Sequence, residues 1–471
     1  MSESRQVLKN ILGLGSAELI SKAIAVVYTI YFLRIIGPEG NGIINFAKSF
    51  VQYFLIFVLL GFDQVGIIEV AKNRNSLNKY VDTIISLRLI IAFVCYISLF
   101  LTIYFFDDYF NISDLTFDVI LIYGLNLFNF AFLITWVYLA VEKPKIIAVR
   151  TIITNSLNLI GIYLFVKDST DVIPAVLVIT LTVSINAIWF IIIYIKEFGK
   201  IRFNFDAKLW QTVFKSAFTI GVIWLVITLY HYINITMLGI LTTDLETGLF
   251  AAAHSFLILM VMPAHIMQSI FFPKFSKIAS NLDLQNLNSK FVKLLLFVGI
   301  YLSLTGIFYS DLIISVLGDK FASASEIMKY ISITLFWTYA TIAYFSPLIA
   351  QNKSKLVLIV NLVGLIINII SNYFLIPAYG AIGAGISTIL CEMGVTIGMT
   401  IIYRNNYKHH FTLSILINIL IGIIGFTPVL LSIYLDWNLY LTFALSTILY
   451  GLLFIGFKQV TIEELRRLLK K

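Results

Sequence analysis

Apolar runs of roughly twenty residues, separated by short polar segments, follow one another from one end of the chain to the other. At 1.5 Å rise per residue, a helix of about 20 apolar residues crosses the ~30 Å hydrocarbon core of a bilayer. By that measure the pattern predicts fourteen membrane-spanning helices. They cover residues 10–36, 42–61, 81–106, 115–141, 146–166, 172–195, 211–241, 247–272, 291–317, 325–350, 355–377, 380–403, 413–435 and 438–457. The expected class is an all-α membrane protein.

Composition agrees. The chain has 471 residues, 60% hydrophobic and 12% charged, with a mean hydropathy of +0.95. Soluble domains carry about 25% charged residues, so this surface cannot be covered for water. Arg5 and Lys9 precede an apolar stretch that Glu18 and Lys22 interrupt, which reads as a retained helix and not a cleavable signal. Cys95 and Cys391 fall in apolar segments and imply neither a disulfide framework nor a metal site.

The net charge of +8 invites a nucleic-acid partner, but its distribution argues against one. On the side holding the N-terminus, the connections carry 22 Lys and Arg; on the other they carry 2, Lys167 and Lys320. Those other loops hold Glu39, Asp107, Asp108, Asp114, Asp168, Asp171, Asp244, Glu246, Asp319 and Asp436. Under the positive-inside rule both termini are expected in the cytoplasm, with an even number of spans in a cell membrane.

A repeat is legible as well. Lys143-Pro144-Lys145, Asn158 and Tyr163 match Lys353-Ser354-Lys355, Asn368 and Tyr373 at a constant offset of 210. Gly42–Ala47 matches Gly248–Ala253 at an offset of 206. This offset lays span 1 on span 7. Six spans per half is an even number, so the repeats are expected to be parallel, related by an axis along the membrane normal. The expected organisation is a bundle over 1–205 and a second over 206–410. Two uncharged accessory spans, lipid-facing, follow over 411–458. Last comes an amphipathic cytoplasmic tail over 459–471, opened by the capping pattern Thr461-Ile462-Glu463-Glu464.

Charged groups inside spans are costly and usually face protein or water. Span 1 has Glu18 and Lys22, four residues apart and close enough on a helix to pair. Span 2 carries a polar stripe of Asn45, Lys48, Ser49 and Gln52, with no acid at helical spacing from Lys48. Arg88 lies in span 3, near enough to its cytoplasmic end to snorkel. In the second half His254 and His265 lie on span 8, Asn368 and Asn372 on span 11, and Glu392 on span 12. Most of the Ser, Thr and Asn stripes read as glue between helices. Whereas Asp311 and Glu326 fall near the ends of their spans, Glu392 is the one acid of span 12 and lies well inside it. Burial would raise its pKa, making it the candidate for proton or sodium coupling with Asn368 and Asn372, or else a structural carboxylate. Cations in one half with hydroxyls and amides throughout suit an anionic, hydroxyl-rich cargo, so Glu18, Lys22, Asn45, Lys48, Gln52, Arg88 and His254 are the candidate cargo-binding residues.

Arg34-Ile-Ile-Gly37-Pro38-Glu39-Gly40-Asn41-Gly42, with Ala47 and Gly61-Phe62, resembles the opening motif of polysaccharide flippases. Pro377-Ala-Tyr-Gly380-Ala-Ile-Gly383-Ala384-Gly385, followed by Glu392, resembles their late segment. The chain resembles Wzx-type oligosaccharide flippases of the MATE-like MOP superfamily over essentially its whole length. The resemblance implies two six-helix bundles plus two extra helices, alternating access, and a polyprenyl-diphosphate-linked repeat unit as cargo. It further implies cationic residues on the first two helices, which Lys22 and Lys48 supply where related lipid II flippases use arginine. No cofactor beyond a coupling ion is expected, nor a catalytic site. The expected partners are the lipid-linked glycan, the bilayer and a polysaccharide polymerase, with the chain acting as a monomer.

Two other readings remain. A multidrug or small-solute antiporter on the same fold would want unpaired acids in its binding site. A membrane glycosyltransferase or O-antigen polymerase would want a large outer loop around a pair such as Asp107-Asp108, and the outer loops here are short.

Overall fold

A computed structural model describes the backbone of residues 3–110, 112–278, 280–407, 413–435 and 437–457. Side chains are described from residue 21 onward, excepting 107–109, 413–415, 430 and 433–435 besides those gaps. The Glu18 side chain, the 459–471 tail and Asp436 therefore lie outside the described residues. Eleven of the described helices are long and apolar enough to cross a membrane. Large apolar side chains point outward, as Phe93, Tyr104, Phe165, Phe374 and Leu452 do, the reverse of a soluble protein.

The chain divides into two compact units, Met1–Gly248 and Leu249–Lys471. The first is built from α1 (Glu3–Leu59), α2 (Phe62–Lys72), α3 (Leu77–Phe110), α4 (Asp114–Gly124), α5 (Asn126–Ala131), α6 (Thr135–Ala140), α7 (Pro144–Phe165), α8 (Val172–Phe198) and α9 (Ala207–Leu241). Helix α1 is two spans in one, bent where Gly37 takes φ 73° and ψ 176° ahead of Pro38. Only glycine accepts that conformation without strain, and proline restarts the helix beyond it. Its two arms pack on α3, α4, α7 and α9.

The turn after the bend is pressed against the segment that follows α9. A Cβ on Gly42 would overlap the Asp244 carbonyl, and one on Gly248 would overlap the Pro38 carbonyl. Asn41 Nδ2 donates to the Gly248 carbonyl at 2.8 Å. Positions 38 and 42 precede 244 and 248 by the same 206 residues, so the contact is reciprocal, as at an isologous interface. Backbone approaches this close require glycine on both sides.

The sequence pattern predicts one unbroken span over 115–141, but the chain forms three pieces there, α4, α5 and α6. Asn126 and Asn129 sit in the broken region and turn to α8. Asn126 Nδ2 donates to Thr180 Oγ1 at 3.4 Å, and Ser184 Oγ donates to Asn129 Oδ1 at 3.0 Å. Asparagine competes poorly in a helix interior and well in such local bonds. Hydrophobicity alone could not reveal the interruption.

The second unit holds most of α10 (Asp244–Lys277), with α11 (Asn281–Phe308), α12 (Ser310–Ser315), α13 (Ala324–Ala350), α14 (Ser354–Tyr407), α15 (Leu413–Gly425), α16 (Thr427–Leu435) and α17 (Leu439–Gly456). Helix α14 is again two arms in one, bent at Gly380 with φ 55° and ψ −133°. The arms fold back on each other: Cys391 Sγ lies 3.1 Å from the Gly364 carbonyl, and Gly398 packs on Val360. Helix α17, read as accessory and lipid-facing, has two faces. Thr442, Ser446, Tyr450 and Phe454 form a buried stripe, while Tyr440, Ile448 and Leu452 are exposed. The buried stripe docks on α11, where Tyr450 OH donates to the Phe297 carbonyl at 2.6 Å and the two rings stack at 4.7 Å.

One backbone detail supports the repeat. Glu142 and Asn352, 210 residues apart, both take φ near 60° just before α7 and α14. Around Glu142, Lys143 N donates to the Tyr138 carbonyl at 2.7 Å and Glu142 N to that of Leu139 at 3.1 Å. Around Asn352, Lys353 N donates to Leu348 at 2.9 Å and Asn352 N to Ile349 at 3.0 Å. This is the same left-handed helix cap, with the paired 6→1 and 5→2 bonds of a Schellman motif, formed twice. Asn158 and Asn368 each follow their cap by the same distance along the helix it opens.

Candidate functional site

The second arm of α1 carries the polar stripe that the helical period predicts, and it continues further than expected. Asn45 Nδ2 donates to Asn41 Oδ1 at 2.7 Å, tying the stripe back to the bend. Two turns on, Thr236 Oγ1 of α9 lies 3.0 Å from Ser49 Oγ and 2.7 Å from Tyr53 OH. These bonds fasten α1 to α9 within the first unit and fix which face of α1 holds Lys48.

Lys48 and Gln52 are half-buried on that arm. Tyr123, at the end of α4, and Tyr232, on α9, are electrostatic neighbours of the Lys48 ammonium, and Tyr28 is a neighbour of Tyr123. Lys48 therefore lies within a span with phenols, and no carboxylate, as its electrostatic neighbours among the described residues. Such a setting leaves a cation able to receive an anion and leaves hydroxyls to bond sugar oxygens. The sequence reading missed Tyr28, Tyr53, Tyr123, Tyr232 and Thr236. Tyr53 alone left a signal, because it extends the Asn45–Ser49 stripe by one turn.

Lys22 is half-buried on the first arm of α1 and engaged with neighbours. Beside it, Ser21 is buried and accepts from Asn155 Nδ2 of α7 at 2.9 Å, which holds this arm against α7.

Arg88 is placed differently from the other two cations, and its expected snorkelling is revised. Its side chain is 0% exposed, within the core of Phe62, Val65, Ile84, Trp136 and Phe190. Nη2 donates to Asp63 Oδ1 at 2.7 Å, and the guanidinium lies 5.8 Å from the centre of the Phe62 ring. Asp63 is 25 residues away on α2, beyond any helical spacing, so the neutralising partner was invisible in the sequence. Snorkelling does not fit a group this enclosed, and its Nε and Nη1 have no hydrogen-bond partner among the described residues. Arg88 joins α3 to the start of α2.

In the second unit His254 is half-buried and stacks on Phe250 at 5.8 Å, with the rings 12° from parallel. Asn368, Asn372 and Glu392 are all buried in α14. Asn372 Nδ2 donates to Asn368 Oδ1 at 3.0 Å on the first arm. Glu392 follows Cys391 on the returning arm, which the Cys391–Gly364 contact and the approach of Gly394 to Ile367 hold against the first. The fold thus sets Glu392 at about the height of Asn368, and Glu392 is itself engaged with neighbours. Thr396, one turn further, bonds Thr341 and the Trp337 carbonyl, as glue. Among the described residues no three His, Cys, Asp or Glu side chains converge as a metal site.

Two long helices bent at glycine within an all-helical membrane chain belong to the MATE-like MOP fold. In solved structures the fold recurs in "Lipid II flippase MurJ, inward closed conformation", with TM-score 0.78 and 14% identity, covering 95% of this chain and 99% of that one. It recurs in an inward-facing multidrug resistance MATE family transporter, with TM-score 0.65 and 11% identity, covering 82% and 94%. The chain belongs to the polysaccharide biosynthesis protein family, whose model matches residues 7–279, and a MatE model matches residues 281–374. Within that superfamily it is a Wzx-type flippase homologue. It is 21% identical over 410 residues to "Capsular polysaccharide biosynthesis protein CapF" of Staphylococcus aureus, covering 84% of this chain and 99% of the relative.

The Arg88 geometry makes one clear prediction. Truncating a fully enclosed side chain that packs on Phe62 and bonds Asp63 costs on the order of 2–3 kcal/mol. Arg88→Ala should therefore lower the amount of folded protein in the membrane and its melting temperature in detergent. Lys48→Ala should change neither. Normal folded levels in Arg88→Ala with transport abolished would assign Arg88 to the cargo site.

Proposed function

We propose that this protein is a flippase that carries a polyprenyl-diphosphate-linked oligosaccharide from the cytoplasmic to the outer leaflet of the cell membrane. It does so by alternating access, to supply surface polysaccharide synthesis. The observation that carries the reading is Lys48, a half-buried ammonium within a span, with tyrosine hydroxyls as its electrostatic neighbours. In this reading Lys48 and Lys22 attract the diphosphate, and Asn45, Gln52 and the tyrosines bond the sugar nearest it. Family membership and the relative named for capsular polysaccharide synthesis support the cargo class. The antiporter reading has less support, because a cationic drug has no reason to favour an ammonium. On the outer side the cargo passes to a polysaccharide polymerase, and the transporter works as a monomer.

A charge-assisted contact contributes about 1.5–3 kcal/mol, so losing it should weaken cargo binding by roughly 10- to 100-fold. Lys48→Ala should abolish complementation of a flippase-deficient strain at normal membrane levels, and Lys48→Arg should restore much of it. Full surface glycan in a Lys22→Ala, Lys48→Ala double variant would remove the proposal.

The orientation proposed is fourteen spans with both termini cytoplasmic, on the 22-to-2 bias of basic residues. Reporter fusions at Asp108 and Asp244 should read external, and a fusion at Asn75 cytoplasmic. An inversion at any of the three would break the assignment.

For energy coupling we assign Glu392, with Asn368 and Asn372 as neutral oxygens, to a proton or sodium ion. Glu392→Gln keeps shape and removes charge. Transport in vesicles under an imposed proton or sodium gradient should lose its gradient dependence in that variant. An unchanged response would make Glu392 structural.

A further inference from the structure

We infer that residues 199–206 form a strap lying in the interfacial zone of the bilayer, where its aromatic side enters the lipid and its cations hold anionic phospholipid headgroups. The strap joins α8 to α9 without regular structure, and residues 202 and 204 turn one way while 203 and 205 turn the other. One side is pinned to α3. Arg202 N donates to Asp82 Oδ1 at 2.9 Å, Asn204 N to Ser86 Oγ at 2.9 Å and Asn204 Nδ2 to Thr83 Oγ1 at 3.0 Å. Just before it, Asn78 Nδ2 donates to the Phe198 carbonyl at 3.2 Å.

The other side is apolar and open. Phe203 is 59% exposed and Phe205 68% exposed, two residues apart on the face turned from α3. Phe205 lies 5.8 Å from the Trp210 ring, whose Nε1 donates to the Asn204 carbonyl at 2.9 Å. Exposed Phe214 and Phe218 carry the aromatic surface onward along α9 into the apolar span. Water would not favour two bare phenyl rings on a rigidly pinned segment; the headgroup boundary, where aromatic side chains collect, would.

Charge complements that placement. Lys196, Lys200, Arg202 and Lys208 are exposed along the same stretch. Of the acids there, Glu197 pairs with Lys143, and Asp206 caps α9 by accepting from Lys208 N and Leu209 N. Cations beside interfacial aromatics are the pattern that binds anionic leaflets. With the orientation proposed above, the leaflet is the inner one.

The test uses the full chain in vesicles and does not depend on transport or orientation. The native thiols Cys95 and Cys391 are buried, so a spin label can be directed to Phe203→Cys, Phe205→Cys or, for comparison, Lys320→Cys. Labels at 203 and 205 should collide freely with oxygen and be shielded from a water-soluble nickel reagent, unlike the label at 320. Phosphatidylglycerol in a phosphatidylcholine vesicle should deepen the shielding. Changing Lys196, Lys200, Arg202 and Lys208 to Gln should remove that dependence. Nickel access at 203 and 205 equal to that at 320 would overturn the strap. So would shielding from both reagents, which means cover by protein. Shielding indifferent to phosphatidylglycerol would overturn the recognition of anionic headgroups.

Discussion

Hydrocarbon offers a polar group nothing to bond, and every placement in this protein answers to that fact. Backbone amides must be satisfied inside their own helix, so the chain is helical almost throughout. Side-chain polarity must then be hidden against other helices, shared with headgroups or kept for cargo. The three cations of the N-terminal spans meet the demand in different ways. Arg88 is enclosed and pairs with a partly exposed Asp63, Lys22 is engaged with neighbours, and Lys48 has Tyr123 and Tyr232 as electrostatic neighbours. The Lys48 arrangement places a positive charge within a span with no carboxylate among its described electrostatic neighbours.

The same demand explains how the fold bends. A helix interrupted in lipid must do so where the conformational cost is low and other groups cover the freed bonds. Gly37 and Gly380 supply the first condition by adopting positive φ. Around the 115–141 breaks, local backbone bonds supply the second, such as Leu125 N to the Ile122 carbonyl and Phe132 N to the Asn129 carbonyl. The Asn126 and Asn129 side chains tie the region to α8. Interruptions in the bilayer are thus placed by side chains that would be unremarked in a soluble protein.

This constraint also sets what could be read from sequence. Hydrophobic runs, the breaks between spans at 37–41 and 378–379 and the polar stripe on the second arm of α1 were legible because each is local in the chain. The Arg88–Asp63 pair, the breaks in the 115–141 segment and the tyrosines near Lys48 were not, since each depends on which helices become neighbours. Tyr123 and Tyr232 are ordinary apolar-span residues until α4 and α9 bring them to α1. The docked face of α17 escaped notice for the same reason: Thr442, Ser446 and Tyr450 gain meaning only against α11.

The twin caps before α7 and α14 carry information about time. One copy places glutamate and the other asparagine at a left-handed position, where glycine would cost least. Side chains differ at most sites between the two segments, yet the two bonds that close each cap are present in both. Hydrogen-bond topology here has outlasted residue identity, so descent from a shared ancestral segment is better dated by which carbonyl each amide meets than by which letters align.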